Sequence, residues 1–208
     1  MPKGVFITFE GGEGSSKTTQ AKLLQQYYID MGRQVVLTRE PGGTKFGESL
    51  RSQVLTCALD PTTMLLAMMA ARNQHICEVI KPALARGDVV ICDRFVDSTA
   101  CYQTETGALK FAQVYALHQE LFGNLLPDLT ILLNLHPLIA LRRARASSGN
   151  LIDVIEAKDM SYHMQVYEKY LQIAQMFPAR VILIEANNLI LQIHQNIVSE
   201  ISKRYPFS

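Results

Sequence analysis

The chain has 208 residues, and its 20 lysines and arginines are almost balanced by 19 aspartates and glutamates. Its hydrophobic content of 48% excludes a disordered chain and allows one substantial core. The formal charge of +1 argues against a polymeric nucleic acid as partner, because proteins that bind one usually carry a basic excess.

Five short apolar runs, rich in β-branched residues, predict five β-strands. Because the runs are continuous rather than alternating, we expect strands that are covered by helices on both faces. The runs are Val5 to Phe9, Val35 to Thr38, Val89 to Cys92, Leu129 to Leu135 and Val181 to Ile184.

Segments with helical periodicity lie between the predicted strands. The first carries an apolar stripe through Leu24, Tyr28 and Met31 and is expected to stop at Gly32. The others are about Thr63 to Arg86, Leu109 to Phe122, Pro137 to Ala146, Lys158 to Phe177 and Leu189 to Lys203. This alternation predicts an α/β fold in one domain over residues 1–208, with a five-stranded parallel sheet inside a three-layer α/β/α arrangement.

Two further features bear on organisation and location. The small, polar stretch Ala146 to Asn150 is the best candidate for a mobile segment. The four cysteines form no Cys-x-x-Cys pair and three have apolar neighbours, so we expect reduced, buried thiols and a cytoplasmic protein. The apolar run at Val5 to Phe9 is too short for a signal peptide or a membrane span, and we expect no membrane partner.

A glycine-rich segment, Gly11 to Thr19, follows the first predicted strand and is called the phosphate loop below. It fits the pattern GxxxxGK[ST] at Gly11, Lys17 and Thr18. Small residues let backbone N–H groups converge on phosphate oxygens, and the following helix adds positive potential. Lys17 would neutralise the β- and γ-phosphates of ATP, and Thr18 would place a hydroxyl on Mg²⁺. The expected ATP-binding residues are Gly11, Gly12, Glu13, Gly14, Ser15, Ser16, Lys17, Thr18 and Thr19.

Ser16 occupies the position where this pattern has its last glycine. If the position requires a positive φ, a side chain there costs on the order of 1–2 kcal/mol. Because serine is small, we expect weakened nucleotide binding rather than none. The alternative is an ordinary Gly/Ser turn before a helix, which the strand before the loop and the Lys-Thr-Thr sequence inside it disfavour.

Charged residues follow the second and third predicted strands, at the sheet edge where parallel α/β sheets bind ligands. Asp93 ends a buried strand and is suited to hold Mg²⁺ through water. Arg39, Arg72 and Arg94 could form a second phosphate site that faces the first. Alternatively, Arg94 is only the buried partner of Asp93. Arg51 is either solvated or near the pocket for a nucleotide base.

Several strings of the sequence resemble bacterial thymidylate kinases. They are TREPGGT (38–44), VVICDR (89–94), STACYQ (98–103), PDLTILLNL (127–135) and LRRARA (141–146), together with the Glu-Gly pair at 10–11. The likeness covers essentially the entire chain. It implies a P-loop kinase fold with a short mobile lid at about 142–157, MgATP as phosphoryl donor, dTMP as acceptor, and a homodimer.

The resemblance also implies roles for individual residues. Arg39 and Arg94 match residues that grip the dTMP phosphate, and Arg72 matches the arginine that reads the thymine edge. Glu13 matches the acid near the deoxyribose 3′-hydroxyl. The other implied substrate-binding residues are Met68, Ser98, Thr99, Tyr102 and Gln103, of which Tyr102 would disfavour a 2′-hydroxyl. The implied catalytic residues are Lys17, Arg94, Arg143 and Arg145, and the implied metal ligands are Thr18 and Asp93.

Two positions besides Ser16 depart from the family pattern. Met68 stands where the family usually has a phenylalanine stacked on thymine, and a thioether covers a ring less rigidly. Val154 stands where the family lid commonly has an arginine. Because the phosphate loop contains no arginine either, the catalytic positive charge must come from Arg143, Arg145 or Lys158.

These motifs predict transfer of the γ-phosphoryl group of ATP to dTMP, with two alternatives left open. A deoxynucleoside kinase would need a carboxylate base near the accepting hydroxyl, a role that Glu13 or Glu40 could fill. A nucleotide-binding relative without catalysis is favoured by the departures at Ser16, Met68 and Val154.

Overall fold

Five parallel strands form the sheet in the computed structural model, which describes residues 4–105, 109–148, 155 and 157–204. Their order across the sheet is β2-β3-β1-β4-β5, and every neighbouring pair is parallel. The strands are β1 (Val5–Glu10), β2 (Val35–Arg39), β3 (Val89–Asp93), β4 (Leu129–Asn134) and β5 (Val181–Glu185). The predicted five-stranded parallel sheet is therefore confirmed.

Helices cover both faces of the sheet. Adjacent strand residues point to opposite faces, so Phe6 and Val90 belong to one core while Ile7 and Ile91 belong to the other. The two cores confirm the three-layer arrangement. The helices are α1 (Lys17–Asp30), α2 (Lys45–Thr56), α3 (Pro61–His75), α4 (Lys81–Arg86), α5 (Val96–Glu105), α6 (Phe111–Phe122), α7 (Pro137–Ser148), α8 (Met160–Met176) and α9 (Ile190–Arg204). Within the described ranges, none of them has the length and apolar character needed to cross a membrane.

Three helical stretches differ from the predicted pattern. Apolar periodicity does not reveal α5, because polar residues of this helix such as Asp97, Thr99 and Gln103 are buried together with the apolar ones, so no contrast between a buried apolar face and an exposed polar face marks it. The predicted helix Thr63 to Arg86 is divided, since α3 passes into α4 through a π-helical turn at Ile76–Ile80. Helix α7 runs to Ser148, so residues 146–148 of the predicted mobile segment are helical, and Gly149 and Asn150 lie outside the described residues.

The prediction of buried cysteines is only half right. All four are free; Cys92 and Cys101 are buried, but Cys57 is half-buried and Cys77 is exposed. Cys77 lies in the π-helical turn, where Ile76 and Ile80 face the core and Cys77 faces away from it.

The strand order fixes the position of the phosphate loop. Strand β1 is central and lies between β3 and β4, so the segments that leave β1 and β3 emerge side by side. Phe9 of β1 pairs with Asp93 of β3, and the backbone N–H of Arg94 donates to the Phe9 carbonyl oxygen at 2.9 Å. Open parallel sheets bind ligands at this edge.

Two residues beside this edge have left-handed backbone. Ser16 has φ 70° and ψ 22° and precedes α1, and Arg94 has φ 73°. The expectation that the Ser16 position requires a positive φ is therefore confirmed, and its cost is about 1–2 kcal/mol. The Ser16 side chain does not offset this cost, because it accepts no capping hydrogen bond from α1.

A buried ion pair joins Asp97 of α5 to Arg180. With the Tyr115 and Thr130 hydroxyls that donate to Asp97, it is called the Asp97 cluster below. The fully buried Asp97 carboxylate accepts hydrogen bonds from Arg180 at 2.6 and 2.9 Å. The hydroxyls of Tyr115 and Thr130 donate to it at 2.6 and 3.2 Å. The Asp97 cluster thus joins α5 to α6, to β4 and to the residue that precedes β5.

Ser16→Gly should stabilise the fold by about 1 kcal/mol, because glycine adopts left-handed backbone without strain. Part of this stabilisation is offset, since glycine also increases the conformational entropy of the unfolded chain. Urea unfolding measures the change. Ser16→Ala is the matched control: it keeps Cβ and removes a hydroxyl that caps nothing, so it should change the free energy of unfolding by less than about 0.5 kcal/mol. Equal stabilisation by alanine and glycine would contradict strain as the cause.

Arg180→Met should lower the free energy of unfolding by about 3–5 kcal/mol, because it leaves the buried Asp97 carboxylate without its cation. Lys203→Met is the control, since the pair of Lys203 with Glu200 is exposed on α9 and its loss should cost less than about 1 kcal/mol. Equal, small losses in both variants would exclude a dependence of Asp97 on Arg180.

Candidate active site

The phosphate loop turns sharply between β1 and α1. Gly14 has φ 72°, and a Cβ there would collide with the Ala140 carbonyl oxygen, so only glycine fits. The Lys17 ammonium is buried and donates to the Gly12 carbonyl oxygen at 2.7 Å. Burial and the nearby Arg94 charge lower the pKa of Lys17. Its ammonium therefore lies inside the curve of the loop rather than in solvent.

Thr18 lies in the first turn of α1, next to the end of β3. Its hydroxyl donates to Asp93 Oδ2 at 2.6 Å. Two hard oxygen donors thus meet at the mouth of the loop, a set that suits Mg²⁺, which takes one or two protein oxygens together with phosphate oxygens and water. The residues present therefore fit the ion that the resemblance implies.

Arg94 enters the site from the centre of the sheet. Its NH2 forms an ion pair with Glu13, and its NH1 donates to the Gly11 carbonyl oxygen at 3.1 Å. The guanidinium carbon lies over the Tyr102 ring, 5.1 Å from its centre. The alternative that Arg94 serves as the buried partner of Asp93 is therefore wrong, because its ion pair is with Glu13.

Glu13 carries negative charge at the centre of the site. Burial by itself raises its pKa, but the charges of Arg94, Lys17 and Arg51 hold the pKa of Glu13 below its ordinary value. It is therefore ionised at neutral pH and balances part of the surrounding positive charge.

A cleft of about 880 Å³ opens beside the phosphate loop. Arg39 lines it and pairs with Glu48 at 2.8 Å, and Arg51 lines it and donates to the Pro41 carbonyl oxygen at 3.0 Å. The other predicted residues on its walls are Glu13, Gly14, Ser16, Lys17, Thr18, Thr19, Asp93, Arg94 and Arg143. Arg39 and Arg94 thus line one cleft, but Arg72, the third arginine of the predicted second phosphate site, does not.

A smaller pocket of about 130 Å³, the inner pocket, lies among α2, α3 and α5. Glu13, Glu40, Arg51 and Arg94 line both the inner pocket and the cleft, so the two spaces meet at these side chains. The pocket brings together the predicted residues Met68, Arg72, Ser98, Thr99, Tyr102 and Gln103. Arg72 therefore lies in the inner pocket, apart from the phosphate-loop cleft that holds Arg39.

Arg72 is held in the inner pocket by a series of polar contacts. Its Nε donates to Glu40 Oε2 at 2.7 Å, and its NH2 donates to Thr99 Oγ1 at 2.8 Å. His75 Nδ1 lies 3.0 Å from the other Glu40 oxygen, and Thr38 Oγ1 lies 2.7 Å from His75 Nε2. Burial opposes ionisation, yet Arg72 and His75 hold the pKa of Glu40 below its ordinary value. The orientation of the guanidinium is thus set by the protein itself.

A second acid, Glu10, lies behind Arg94 at the end of β1. It is fully buried, and its burial and the nearby Asp97 raise the pKa of Glu10 to about 7. The sequence singles out Glu10 only as half of the Glu-Gly pair, and nothing in the linear pattern indicates that Ser98 and Tyr170 donate to it.

Part of the inner pocket wall is not evident from the sequence. Val54, Leu55 and Met64 line it from α2 and α3. Arg51 and Leu55 are four residues apart on α2, a spacing that places them on one helix face and could have indicated a shared surface. Arg51 is half-buried and lines the inner pocket, which favours its interpretation as a residue near the base pocket over a solvated one.

Arg143 and Arg145 lie on α7, on the other side of the phosphate loop. Arg143 lines the cleft and donates to the Ala186 carbonyl oxygen at 2.9 Å and to Asn187 Oδ1 at 3.2 Å. Arg145 is exposed on the same helix. Val154 lies outside the described residues, as do residues 149–153 and 156 of the expected lid.

Comparison with known proteins identifies the family. A family model described as thymidylate kinase matches residues 9–197. The chain is 38% identical over 205 residues to a thymidylate kinase of Orientia tsutsugamushi, which covers 97% of this chain and 94% of that one. It is 43% identical over 184 residues to a thymidylate kinase of Gloeobacter violaceus, which covers 88% of this chain and 87% of that one.

A solved structure agrees with these relatives. The crystal structure of thymidylate kinase from Ehrlichia chaffeensis matches with a TM-score of 0.76 and 31% sequence identity, over 96% of this chain and 99% of that one. The match thus includes the phosphate loop, the sheet and the helices that line the inner pocket, and the chain belongs to the thymidylate kinase family.

Proposed function

We propose that the chain transfers the γ-phosphoryl group of ATP to dTMP, giving ADP and dTDP. The observation that carries this proposal is that the cleft at the phosphate loop and the inner pocket meet at Arg94 and Glu13. A phosphoryl group can pass directly between two ligands only if their phosphates meet in line, and such a junction provides the place.

On the donor side, the phosphate loop would bind the ATP phosphates through its backbone N–H groups and Lys17. Arg143 is hydrogen-bonded to the segment after β5 and lines the cleft beside the phosphate loop, which supports a role for it at the ATP phosphates. Arg143 and Arg145 are the proposed lid arginines, with Lys158 as the alternative source of positive charge.

Mg²⁺ would be held by Thr18 and Asp93 together with phosphate oxygens. When bound, the ion supplies positive charge that offsets the repulsion between the two phosphate groups. The 2.6 Å contact between the Thr18 hydroxyl and Asp93 supports this assignment, because it brings both oxygens to one point.

On the acceptor side, Arg39 and Arg94 would bind the dTMP phosphate, and Arg72 with Thr99 would face the edge of thymine. The Met68 thioether would cover the thymine ring, since it lines the inner pocket. Glu13, Ser98, Tyr102 and Gln103 would complete the walls around sugar and base.

The charges of the site favour a nucleotide acceptor over a nucleoside. The second pKa of a phosphomonoester is about 6, so dTMP is an anion near neutral pH and needs no general base. A nucleoside hydroxyl needs one, but Glu13 is paired with Arg94, and Glu40 with Arg72 and His75. Both carboxylates have lowered pKa values, which makes them weak bases.

We also infer that each chain is a single catalytic domain, that two copies form a homodimer, and that the protein is cytoplasmic. Leu66 on α3 and Leu121 on α6 leave more than half of their surface exposed, at 61% and 54%, which supports an apolar contact with a second copy. The four free cysteines support a reducing compartment. Both ligand spaces adjoin one sheet, which supports a single domain.

Purified protein with Mg²⁺ and ATP should convert dTMP to dTDP and should leave thymidine unphosphorylated, as measured by chromatography of the products. Faster reaction of thymidine would favour a deoxynucleoside kinase. Binding of both ligands without formation of dTDP would favour a relative without catalysis.

Lys17→Met serves as the internal control of this assay. It keeps the apolar stem of the side chain and removes the ammonium, so kcat should fall at least about 100-fold. The Kd for dTMP, measured by calorimetry, should change less than about threefold, because Lys17 belongs to the donor side. Equal losses of turnover and dTMP binding would contradict separate sites.

Asp93→Asn should raise the Mg²⁺ concentration needed for half-maximal activity about tenfold, because the amide keeps the Thr18 contact but loses the negative charge. The measurement is a titration of activity with Mg²⁺ at fixed ATP. Asp30→Asn, at the exposed end of α1, is the control and should leave this concentration unchanged. A fall in kcat with an unchanged Mg²⁺ requirement would remove Asp93 from the metal site.

A further inference from the structure

Three side chains from different elements, two of them fully buried, meet behind Arg94. They are Glu10 of β1, Ser98 of α5 and Tyr170 of α8, called the Glu10 cluster below. Ser98 Oγ donates to Glu10 Oε2 at 2.6 Å, and the Tyr170 hydroxyl lies 3.1 Å from the same oxygen and 2.8 Å from Ser98 Oγ. The backbone N–H of Phe95 donates to the other Glu10 oxygen at 2.8 Å. Every oxygen of the carboxylate is therefore engaged.

The Glu10 cluster faces one edge of the Arg94 guanidinium. NH1 donates to Ser98 Oγ at 3.2 Å and to the Tyr170 hydroxyl at 3.3 Å, beside its 3.1 Å hydrogen bond to the Gly11 carbonyl oxygen, while NH2 pairs with Glu13. The two edges thus differ: NH1 meets neutral oxygen atoms, two of them from the Glu10 cluster, and NH2 meets a carboxylate that lines both ligand spaces.

The chemistry of Glu10 fixes the direction of these hydrogen bonds. An ionised carboxylate only accepts hydrogen bonds, so the Ser98 hydroxyl donates to Glu10. The Tyr170 hydroxyl donates to Glu10 or to Ser98, which are both within reach. Both hydroxyl oxygens then present lone pairs to Arg94 NH1. An apolar residue in place of Glu10 would free the hydroxyls to turn their protons towards the guanidinium.

Neither Glu10 nor Tyr170 can touch a ligand, because they are 0% and 2% exposed. The backbone of Arg94 is left-handed, with φ 73°, and a residue with a Cβ keeps this conformation only where its surroundings enforce it. The Glu10 cluster holds the side chain, and the hydrogen bond from the Arg94 N–H to the Phe9 carbonyl oxygen holds the backbone.

We propose that the Glu10 cluster positions Arg94: it anchors NH1 so that NH2 can exchange Glu13 for an oxygen of the dTMP phosphate. The proposal rests on the proposed function, because it assigns to Glu10 and Tyr170 a role that acts only through the phosphate contact of Arg94.

Tyr170→Phe tests the proposal by removing one oxygen and keeping the ring. A hydrogen bond to a charged group is lost, so the KM for dTMP should rise about tenfold, while the KM for ATP stays within about twofold. The assay is run at pH 8, above the pKa of Glu10, so that its carboxylate is ionised. Calorimetric binding of dTMP replaces KM wherever turnover is too slow.

Tyr167→Phe is the matched control. Tyr167 lies one turn away on α8, and its hydroxyl donates to Asn134 Oδ1 at 3.0 Å rather than to Arg94. Neither KM should change more than about twofold. If Tyr170→Phe behaves like this control, or if it raises both KM values equally, the proposal is overturned.

The double variant Tyr170→Phe with Arg94→Lys separates positioning from simple structural support. A lysine cannot make the NH1 contacts, so Tyr170→Phe should add less than about twofold to the loss already caused by Arg94→Lys. A further tenfold loss would show that Tyr170 acts independently of Arg94 and would overturn the proposal.

Glu10→Gln provides a second route if Tyr170→Phe does not fold. The amide turns a donor towards the hydroxyls, and the KM for dTMP should again rise selectively. A lower melting temperature with unchanged KM values would show that the Glu10 cluster has only a structural role and would overturn the proposal. Wild-type protein that makes no dTDP would instead refute the proposed function, so the two failures are distinguishable.

Discussion

The parallel pairing of β1 with β3 is the constraint on which the site depends. Phe9 lies opposite Asp93, so the phosphate loop and the Asp93-Arg94 step start side by side at one edge of the sheet. The contact of Thr18 with Asp93 and the hydrogen bond from Arg94 to Gly11 follow from this register. A slip of one residue would send Asp93 to the opposite face and remove both. The same register sends the chain into α5, which forms one wall of the inner pocket.

Three acids, each joined to one arginine, organise the region that β1, β3 and α5 build. The pairs are Glu13 with Arg94, Glu40 with Arg72, and Asp97 with Arg180. A buried carboxylate without a cation is costly, and a guanidinium has a rigid fork of donors. Each pair therefore fixes the orientation of its arginine as well as its charge. The two arginines that face ligand spaces take their directions from the protein, so their guanidinium groups need little reorientation when a ligand binds.

The sequence alone predicts the strands, the phosphate loop and the meeting of Arg39 with Arg94, because these depend on local patterns and on strand ends. It does not reveal α5, because polar residues of this helix are buried together with the apolar ones and no contrast between two faces marks it. Nor does it reveal which acid joins which arginine. Arg94 could have paired with its neighbour Asp93, and only the packing of the loop against β3 brings Glu13 closer. Tyr170 lies 160 residues from Glu10, and no short-range pattern connects them.

Because Glu13 is already paired with Arg94, an acceptor phosphate would reach this arginine only by exchanging with a bound carboxylate. Glu13 is a resident counterion, bound to the guanidinium that would receive the acceptor phosphate. A ligand that enters must replace one anion by another, and a dianionic phosphate can do so because its charge exceeds that of the carboxylate it displaces. A nucleoside brings no anion to the exchange. Under the proposed function, selection of nucleotides over nucleosides would then arise from charge substitution at one arginine.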